Sequence, residues 1–277
     1  MPDVPNLTMN DGHQIPQLGF GIWQVPPEIA AEAVASAIRT GYRLIDGAYL
    51  YMNEAGLGEG LRASGVPRTD IFVTTKVWNN DQGRARARAS VERSLKTIGV
   101  DQLDLVLIHW PVPSRDLYVE TWEAFVEMRE EGLMRSIGVS NFNVSHLKRL
   151  ISETGVVPAV NQIELNPELQ QPELRAFNSE NGIISQAWTP LGNARSFEKE
   201  PITAAAARTG KSPAQVILRW HVQLGHAVIP RSVRPERQAE NLDVFDFELT
   251  ADEMEAIGTL DVGLRTGPDP SVFKFLE

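Results

Sequence analysis

LDLVLIH, residues 103 to 109, is apolar at nearly every position and closes on a histidine. A strand with one face in water alternates apolar and polar residues. A nearly continuous run marks a strand covered on both faces, as in a parallel sheet wrapped by helices. Comparable runs lie on either side: YRLID from 42, IFVTT from 71, RSIGVS from 135, AVNQIE from 159, GIISQA from 182, HAVIP from 226 and DVFDF from 243. These are eight candidate strands, with starts mostly 24 to 32 residues apart, the length of a strand and its crossover helix. The intervening stretches read as helices. PEIAAEAVASAIRT spans 27 to 40 with Pro27 in the first helical position and Gly41 just past the end, and a second helix over 213 to 224 starts from Ser212 and Pro213. Eight such units in 277 residues fit an α/β (β/α)8 TIM barrel better than a six-strand doubly wound sheet. Ahead of the first unit, LTMN and QIPQLGF flank Asp11-Gly12, which predicts an N-terminal β-hairpin plugging the barrel bottom. The last stretch, DVGLRTGPDPSVFKFLE, has no strand or helix pattern and reads as a short C-terminal tail on the barrel surface. No linker or low-complexity run divides the chain, so residues 1–277 are expected to form one domain.

Composition narrows the function. Apolar residues make up 42% and charged residues 22%, ordinary values for a folded domain. A formal charge of -10 and a pI near 5.1 argue against nucleic acid or an anionic membrane as partner, while leaving room for a local basic pocket for a small anion. With no cysteine, disulfides, thiolate metal sites, iron-sulfur clusters and cysteine nucleophiles are excluded. The five histidines, His13, His109, His146, His221 and His226, show no metal-binding spacing, so no metal is expected. No stretch reaches the roughly 18 apolar residues of a membrane span, and the N-terminal residues have no basic and apolar leader. The cytoplasm is the expected location.

In such a barrel the chemistry gathers at the C-terminal ends of the strands. Here those ends carry Asp46 followed by Tyr51, then Lys76, His109, Ser140 with Asn141, Gln162, and Trp188. An ammonium beside a phenol favours the phenolate and is expected to lower the Tyr51 pKa from about 10, suiting the phenol to act as a general acid.

These residues and the strings around them resemble the aldo-keto reductases, and among those the bacterial 2,5-diketo-D-gluconate reductases. The strings are GYRLIDGAYLYMNE, VTTKVW, LIHWP, RSIGVSNF, VPAVNQIELNP and IPRSVRPERQAENLDVFDF. The resemblance spans nearly the whole chain. It implies an NADPH-dependent carbonyl reductase acting on small polar carbonyl or keto-sugar-acid substrates, with NADP+ as the oxidised cofactor. Asp46, Tyr51, Lys76 and His109 would be the catalytic tetrad, Tyr51 the proton donor, and His109 the neutral ring that orients the carbonyl. Ser140, Asn141 and Gln162 would hold the nicotinamide amide, and Trp188 would stack on its ring. Thr189, Leu191, Gly192 and Asn193 would wrap the pyrophosphate. Arg231, Ser232, Val233, Arg234, Arg237, Glu240 and Asn241 would meet the adenosine end, where arginine forks suit a 2′-phosphate. Trp23, Trp78 and Trp110, with His109, would form the substrate wall. Members of this family are often monomers, and a monomer is expected.

Two positions depart from the family pattern. Gly47 stands where Thr or Ser is usual, which is expected to loosen the loop before Tyr51, and Arg231 replaces a lysine. Tyr49 offers a second phenol, although spacing from Asp46 favours Tyr51. The short loop from Pro111 to Leu117 and the short tail suggest an open site.

Each residue also has a plainer reading. A buried tyrosine or histidine is ordinarily satisfied core, Lys76 with Asp46 reads equally as a structural ion pair, the tryptophans as core, and the arginines as a solvated helix face. It is their joint occurrence that favours chemistry. GFGIWQ from 19 lacks the third glycine of a dinucleotide fingerprint, GLGEG from 56 lies in an expected helix, and TGKS from 209 has Ala205 where a P-loop needs its first glycine. A non-catalytic cofactor-binding subunit and a Schiff-base aldolase using Lys76 are the competing readings.

Overall fold

The computed structural model describes residues 4–274. An antiparallel hairpin, β1 (Asn6–Thr8) and β2 (Gln14–Pro16), comes first. Eight parallel strands then follow in chain order around one sheet: β3 (Phe20–Gly21), β4 (Leu44–Asp46), β5 (Phe72–Val77), β6 (Leu103–Ile108), β7 (Met134–Ser140), β8 (Val160–Glu164), β9 (Ile184–Trp188) and β10 (Ala227–Val228). Leu18 bridges Val228 in parallel, and Gly21 N–H donates to the Pro230 carbonyl at 3.1 Å, so the last strand meets the first and the sheet closes into a barrel.

The covering helices are α1 (Pro27–Thr40), α2 (Glu54–Ala63), α3 (Arg84–Ile98), α4 (Tyr118–Glu130), α5 (Val144–Thr154), α6 (Pro172–Glu180), α7 (Glu200–Thr209), α8 (Pro213–Gln223), α9 (Pro235–Leu242) and α10 (Ala251–Gly258). The two helices read most directly from sequence start as expected. Pro27 opens α1, and Ser212 caps α8 in a reciprocal pair with Gln215. α2 packs closely on α3: a Cβ at Gly58 would lie 1.9 Å from the Ile98 carbonyl oxygen, a contact only glycine permits. No helix among the described residues is long and apolar enough to cross a membrane.

Alternation sorts each strand into two environments. Ile45, Val73, Val106, Ile137 and Val139 face outward into the large core shared with the helices. Leu44, Phe72, Leu105, Leu107 and Val160 face inward, where Met9 and Ile15 of the hairpin join them. The hairpin therefore closes the end of the barrel where the strands begin, and Asn10 Nδ2 pins it to the Pro158 carbonyl at 2.9 Å.

One expected strand is absent. Residues 243 to 247 follow α9 as irregular chain, and the barrel takes Phe20–Gly21 instead. The alternation of DVFDF has another cause. Val244 is buried in the helical core, while Asp243 and Asp246 turn outward to accept from Lys211 Nζ at 2.8 and 2.7 Å. The true first strand is only two residues long, and a Cβ at Gly21 would come 3.0 Å from the Ile229 carbonyl oxygen.

Candidate active site

The inward series of each strand ends in polar groups. Asp46 continues the series of Leu44, Lys76 that of Phe72, His109 that of Leu105 and Leu107, and Gln162 and Glu164 that of Val160. Period-two geometry alone therefore carries Asp46, Lys76 and His109 into the mouth opposite the hairpin.

Lys76 is 1% exposed, and its ammonium is fully engaged. Nζ donates to Asp46 Oδ1 at 2.6 Å, to the Gly47 carbonyl at 2.8 Å and to Tyr51 Oη at 3.2 Å. Burial opposes the charge, but the attraction of Asp46 and Tyr51 prevails and raises the Lys76 pKa. A permanently charged amine with three acceptors is not a Schiff-base nucleophile, which removes the aldolase reading.

Tyr51 sits in a single helical turn, Tyr49–Tyr51, after β4. Its pKa is raised, not lowered as expected. Loss of hydration on burial is the largest effect; the Lys76 charge pulls downward as anticipated but is outweighed, and Asp46 adds to the rise. The phenol therefore rests protonated. Tyr49 points elsewhere: its ring stacks under the Arg93 guanidinium at 3.7 Å, and Arg93 pairs with Asp81 at 2.6 Å. Gly47 does not loosen the loop. Its N–H donates to the Thr74 carbonyl at 2.9 Å, its carbonyl holds Lys76, and an added Cβ would meet Leu57 Cδ1 at 2.9 Å.

His109 faces Tyr51 edge-on, ring centres 5.8 Å apart. Burial, then the Lys76 charge, hold its pKa well below the ordinary histidine value, so the ring is neutral. Its Nδ1 is buried without a hydrogen-bond partner among the described residues.

Beside this cluster, Ser140 Oγ donates to the Gln162 carbonyl at 2.8 Å and accepts from Asn141 Nδ2 at 3.1 Å. Gln162 Nε2 is already committed, to Asp46 Oδ2 at 2.7 Å and to Gln186 Oε1 at 2.8 Å. Gln186 was not anticipated, although its inward position on β9 was a usable signal.

The chain after β9 is unusual. Thr189, Gly192, Asn193 and Ala194 all have positive φ, which costs the non-glycine residues about 1 kcal/mol or more each. Leu191 at φ -87 and ψ 1 precedes Gly192 at φ 56, and the turn closes on its own backbone, Gly192 N–H donating to the Thr189 carbonyl at 3.0 Å and Ala194 N–H to the Leu191 carbonyl at 2.9 Å.

Around the start of α9, Arg231, Val233, Arg234 and Arg237 are exposed. Among the described residues no ion pair is recorded for these three guanidiniums. Arg231 instead donates to the Trp23 carbonyl and Gln24 Oε1, both at 3.1 Å. Ser232 Oγ accepts from Arg234 N–H at 3.1 Å. Glu240 and Asn241 serve the packing behind: Glu240 accepts from Ser212 Oγ at 2.5 Å, and Asn241 bonds the Tyr42 hydroxyl.

The three expected tryptophans reach the mouth. Trp23 lies 5.0 Å from the Tyr51 ring and is 49% exposed, whereas Trp78 and Trp110 are buried with Val112 and Leu50. Phe273 packs on Trp110, with ring centres 4.3 Å apart, and 6.5 Å from Trp78. The tail thus crosses the mouth rather than leaving it open. Glu164, buried, fixes it there by accepting from Thr266 N–H and Gly267 N–H at 2.7 and 3.1 Å. Sequence reasoning missed Glu164, despite its inward position, and Phe273, which packs on residues far away in the chain. No group of three or more candidate metal ligands occurs among the described residues.

Comparison with known proteins adds independent findings. The model of the aldo/keto reductase family matches residues 17–261. An aldo-keto reductase of Mycolicibacterium smegmatis is 53% identical over 98% of each chain. The methylglyoxal reductase DkgA of Escherichia coli K12 is 47% identical over 96% of this chain and 97% of its own. Among solved structures, a variant of Gox0644 in complex with NADPH superposes with a TM-score of 0.95 at 47% identity, covering 99% of this chain and all of that one.

Proposed function

The chain belongs to the aldo/keto reductase family, and on that premise we propose that it reduces small polar aldehydes and ketones to alcohols with NADPH, Tyr51 giving the proton. The observation that carries this reading is the Lys76 ammonium held between Asp46 Oδ1 at 2.6 Å and Tyr51 Oη at 3.2 Å.

Bound NADPH supplies the hydride that reaches the carbonyl carbon. The residues in place fit that cofactor: the exposed guanidiniums of Arg231, Arg234 and Arg237 beside Ser232 suit the 2′-phosphate, Trp188 stands at the ring position, and the loop at Leu191 and Gly192 would line the pyrophosphate. Ser140, Asn141 and the carbonyl end of Gln162 are the proposed amide partners. Val233, Glu240 and Asn241 would frame the adenosine, and Thr189 and Asn193 the phosphates.

His109, neutral, donates through Nε2 to the substrate oxygen and sets its direction. Tyr51 transfers its proton to that oxygen as negative charge develops. The resulting phenolate faces the Lys76 ammonium, whose charge Asp46 balances, and is reprotonated from solvent. Charge is thus stabilised where it forms, with no group needing to reorganise. Trp23, Trp78 and Trp110 would pack the substrate, with the tail closing over it, which suits compact carbonyl compounds such as 2-oxoaldehydes and keto-sugar acids. DkgA relatives named as methylglyoxal reductases support the 2-oxoaldehyde part of that range. The proposed working unit is a monomer.

Tyr51→Phe is the test. Turnover with methylglyoxal should fall at least about 100-fold, while NADPH binding, read by tryptophan fluorescence, is kept. A variant that reduces substrate at the wild-type rate would remove Tyr51 as the acid.

A further inference from the structure

Two histidines that no proposed step uses are buried behind the Thr189–Ala194 loop. His221, on α8, is 0% exposed and His226, immediately before β10, 5%. Their Nδ1 atoms are 3.2 Å apart, and His221 Nε2 lies 3.1 Å from the Pro190 carbonyl oxygen.

Hydrogen counting assigns the protons. A carbonyl oxygen only accepts, so His221 carries its hydrogen on Nε2. A neutral imidazole has one N–H, which leaves His221 Nδ1 bare, and His226 must then donate from Nδ1. Both rings are neutral. Burial drives His221 down to about 3 despite the bond to Pro190, with Arg175 of α6 acting in the same sense as burial; burial, then His221 and Arg175, hold His226 well below its ordinary value. The result is a directed chain, His226 to His221 to Pro190.

Pro190 stands within the segment whose left-handed residues need outside support. Leu191 packs into the core between α7 and α8, and Arg195 Nε reaches Glu168 Oε2 at 2.8 Å. Within the turn, Gly192 N–H bonds the Thr189 carbonyl and Ala194 N–H the Leu191 carbonyl; the Pro190 carbonyl between them is held from outside the loop, by the His221 side chain.

We infer that the His226–His221 pair is a positioning device for dinucleotide binding, fixing the Pro190 carbonyl and with it the backbone on which the pyrophosphate rests. This rests on the cofactor reading above. Because the pyrophosphate is common to both dinucleotides, loss of the pair should weaken NADPH and NADH alike and leave their ratio unchanged.

The experiment titrates full-length wild type, His221→Phe and His221→Gln with NADPH and with NADH by tryptophan fluorescence. In His221→Phe both Kd values should rise about tenfold, the scale of one lost hydrogen bond. In His221→Gln, whose amide N–H can still reach Pro190, most of the affinity should return. A folded His221→Phe that binds both dinucleotides as wild type does, even with a lower melting temperature, overturns the inference, as does equal loss in both variants. Nitrogen NMR of the wild-type histidines serves if the variants do not fold. His221 should be protonated on Nε2 and His226 on Nδ1, with both rings shifting when NADP+ is added; other tautomers or unmoved signals overturn the assignment. Failure of the wild type to bind either dinucleotide would instead sink the cofactor reading, and this inference with it.

Discussion

The indole N–H of Trp188 donates to Asn141 Oδ1 at 2.9 Å, and Asn141 Nδ2 donates in turn to the His109 carbonyl at 3.0 Å. The ends of β9, β7 and β6 are thereby tied together across the mouth, with Asn141 held at a φ of 63. Trp188→Phe keeps an aromatic face but leaves Asn141 Oδ1 without its indole donor. We expect kcat/KM to fall about tenfold, the scale of one hydrogen bond, with little change in melting temperature. Wild-type steady-state kinetics in this variant would show that the link has no functional weight.

Lys76→Met should be costly beyond catalysis. It leaves Asp46, 2% exposed, with its charge uncompensated except by the Gln162 amide. The expected destabilisation is about 3–5 kcal/mol by urea denaturation. Adding Asp46→Asn should recover a large part of it, since the pair then disappears together. A double variant no more stable than the single one would contradict this account.

Stability should fall in mild acid. His109, His221 and His226 are neutral in the fold, whereas an unfolded histidine takes up a proton near pH 6.5. With folded values below the unfolded one, the stabilisation is complete above about pH 6.5 and is lost as the pH descends toward about 3 for His221. Each ring adds a slope of up to about 1.4 kcal/mol per pH unit. Glu54, whose pKa burial raises against its bonds from Thr75 and Ser94, acts in the opposite direction at lower pH. Urea midpoints at pH 7 and pH 5.5 test this, and equal midpoints would refute it.

Arg231→Gly should separate the two dinucleotides. Loss of a charge-assisted contact to a 2′-phosphate predicts a rise in NADPH Kd of about 10-fold to 100-fold, with little effect on NADH. Because Arg231 also holds the Trp23 carbonyl and Gln24, a modest KM increase for the carbonyl substrate is expected in parallel. Equal loss for NADPH and NADH would place Arg231 away from that phosphate.

The parts legible in the sequence are those that local periodicity controls. Asp46, Lys76 and His109 follow from two-residue alternation in strands with apolar interiors, and α8 follows from Ser212 and Pro213. The same rule, carried further, would have found Gln186 and Glu164. β3 escaped because two residues beside glycines carry no period, and DVFDF imitated a strand because its aspartates serve Lys211. The direction of the Tyr51 shift depends on how much water the folded chain removes, which no spacing encodes. Phe273 lies far along the chain from Trp110, and only tertiary packing brings them together.

The register between β5 and its neighbours, Thr74 opposite Leu105 and Lys76 opposite Leu107, has a consequence for tolerance to insertion and deletion. A one-residue slip in β5 would present Thr75 to the mouth and drive the Lys76 ammonium into the apolar layer under α2 and α3. A single codon gained within that strand would therefore displace Lys76 from the proposed catalytic centre and burden the fold in one event, whereas the same change in the exposed turn at Gly65, away from the mouth, would do neither.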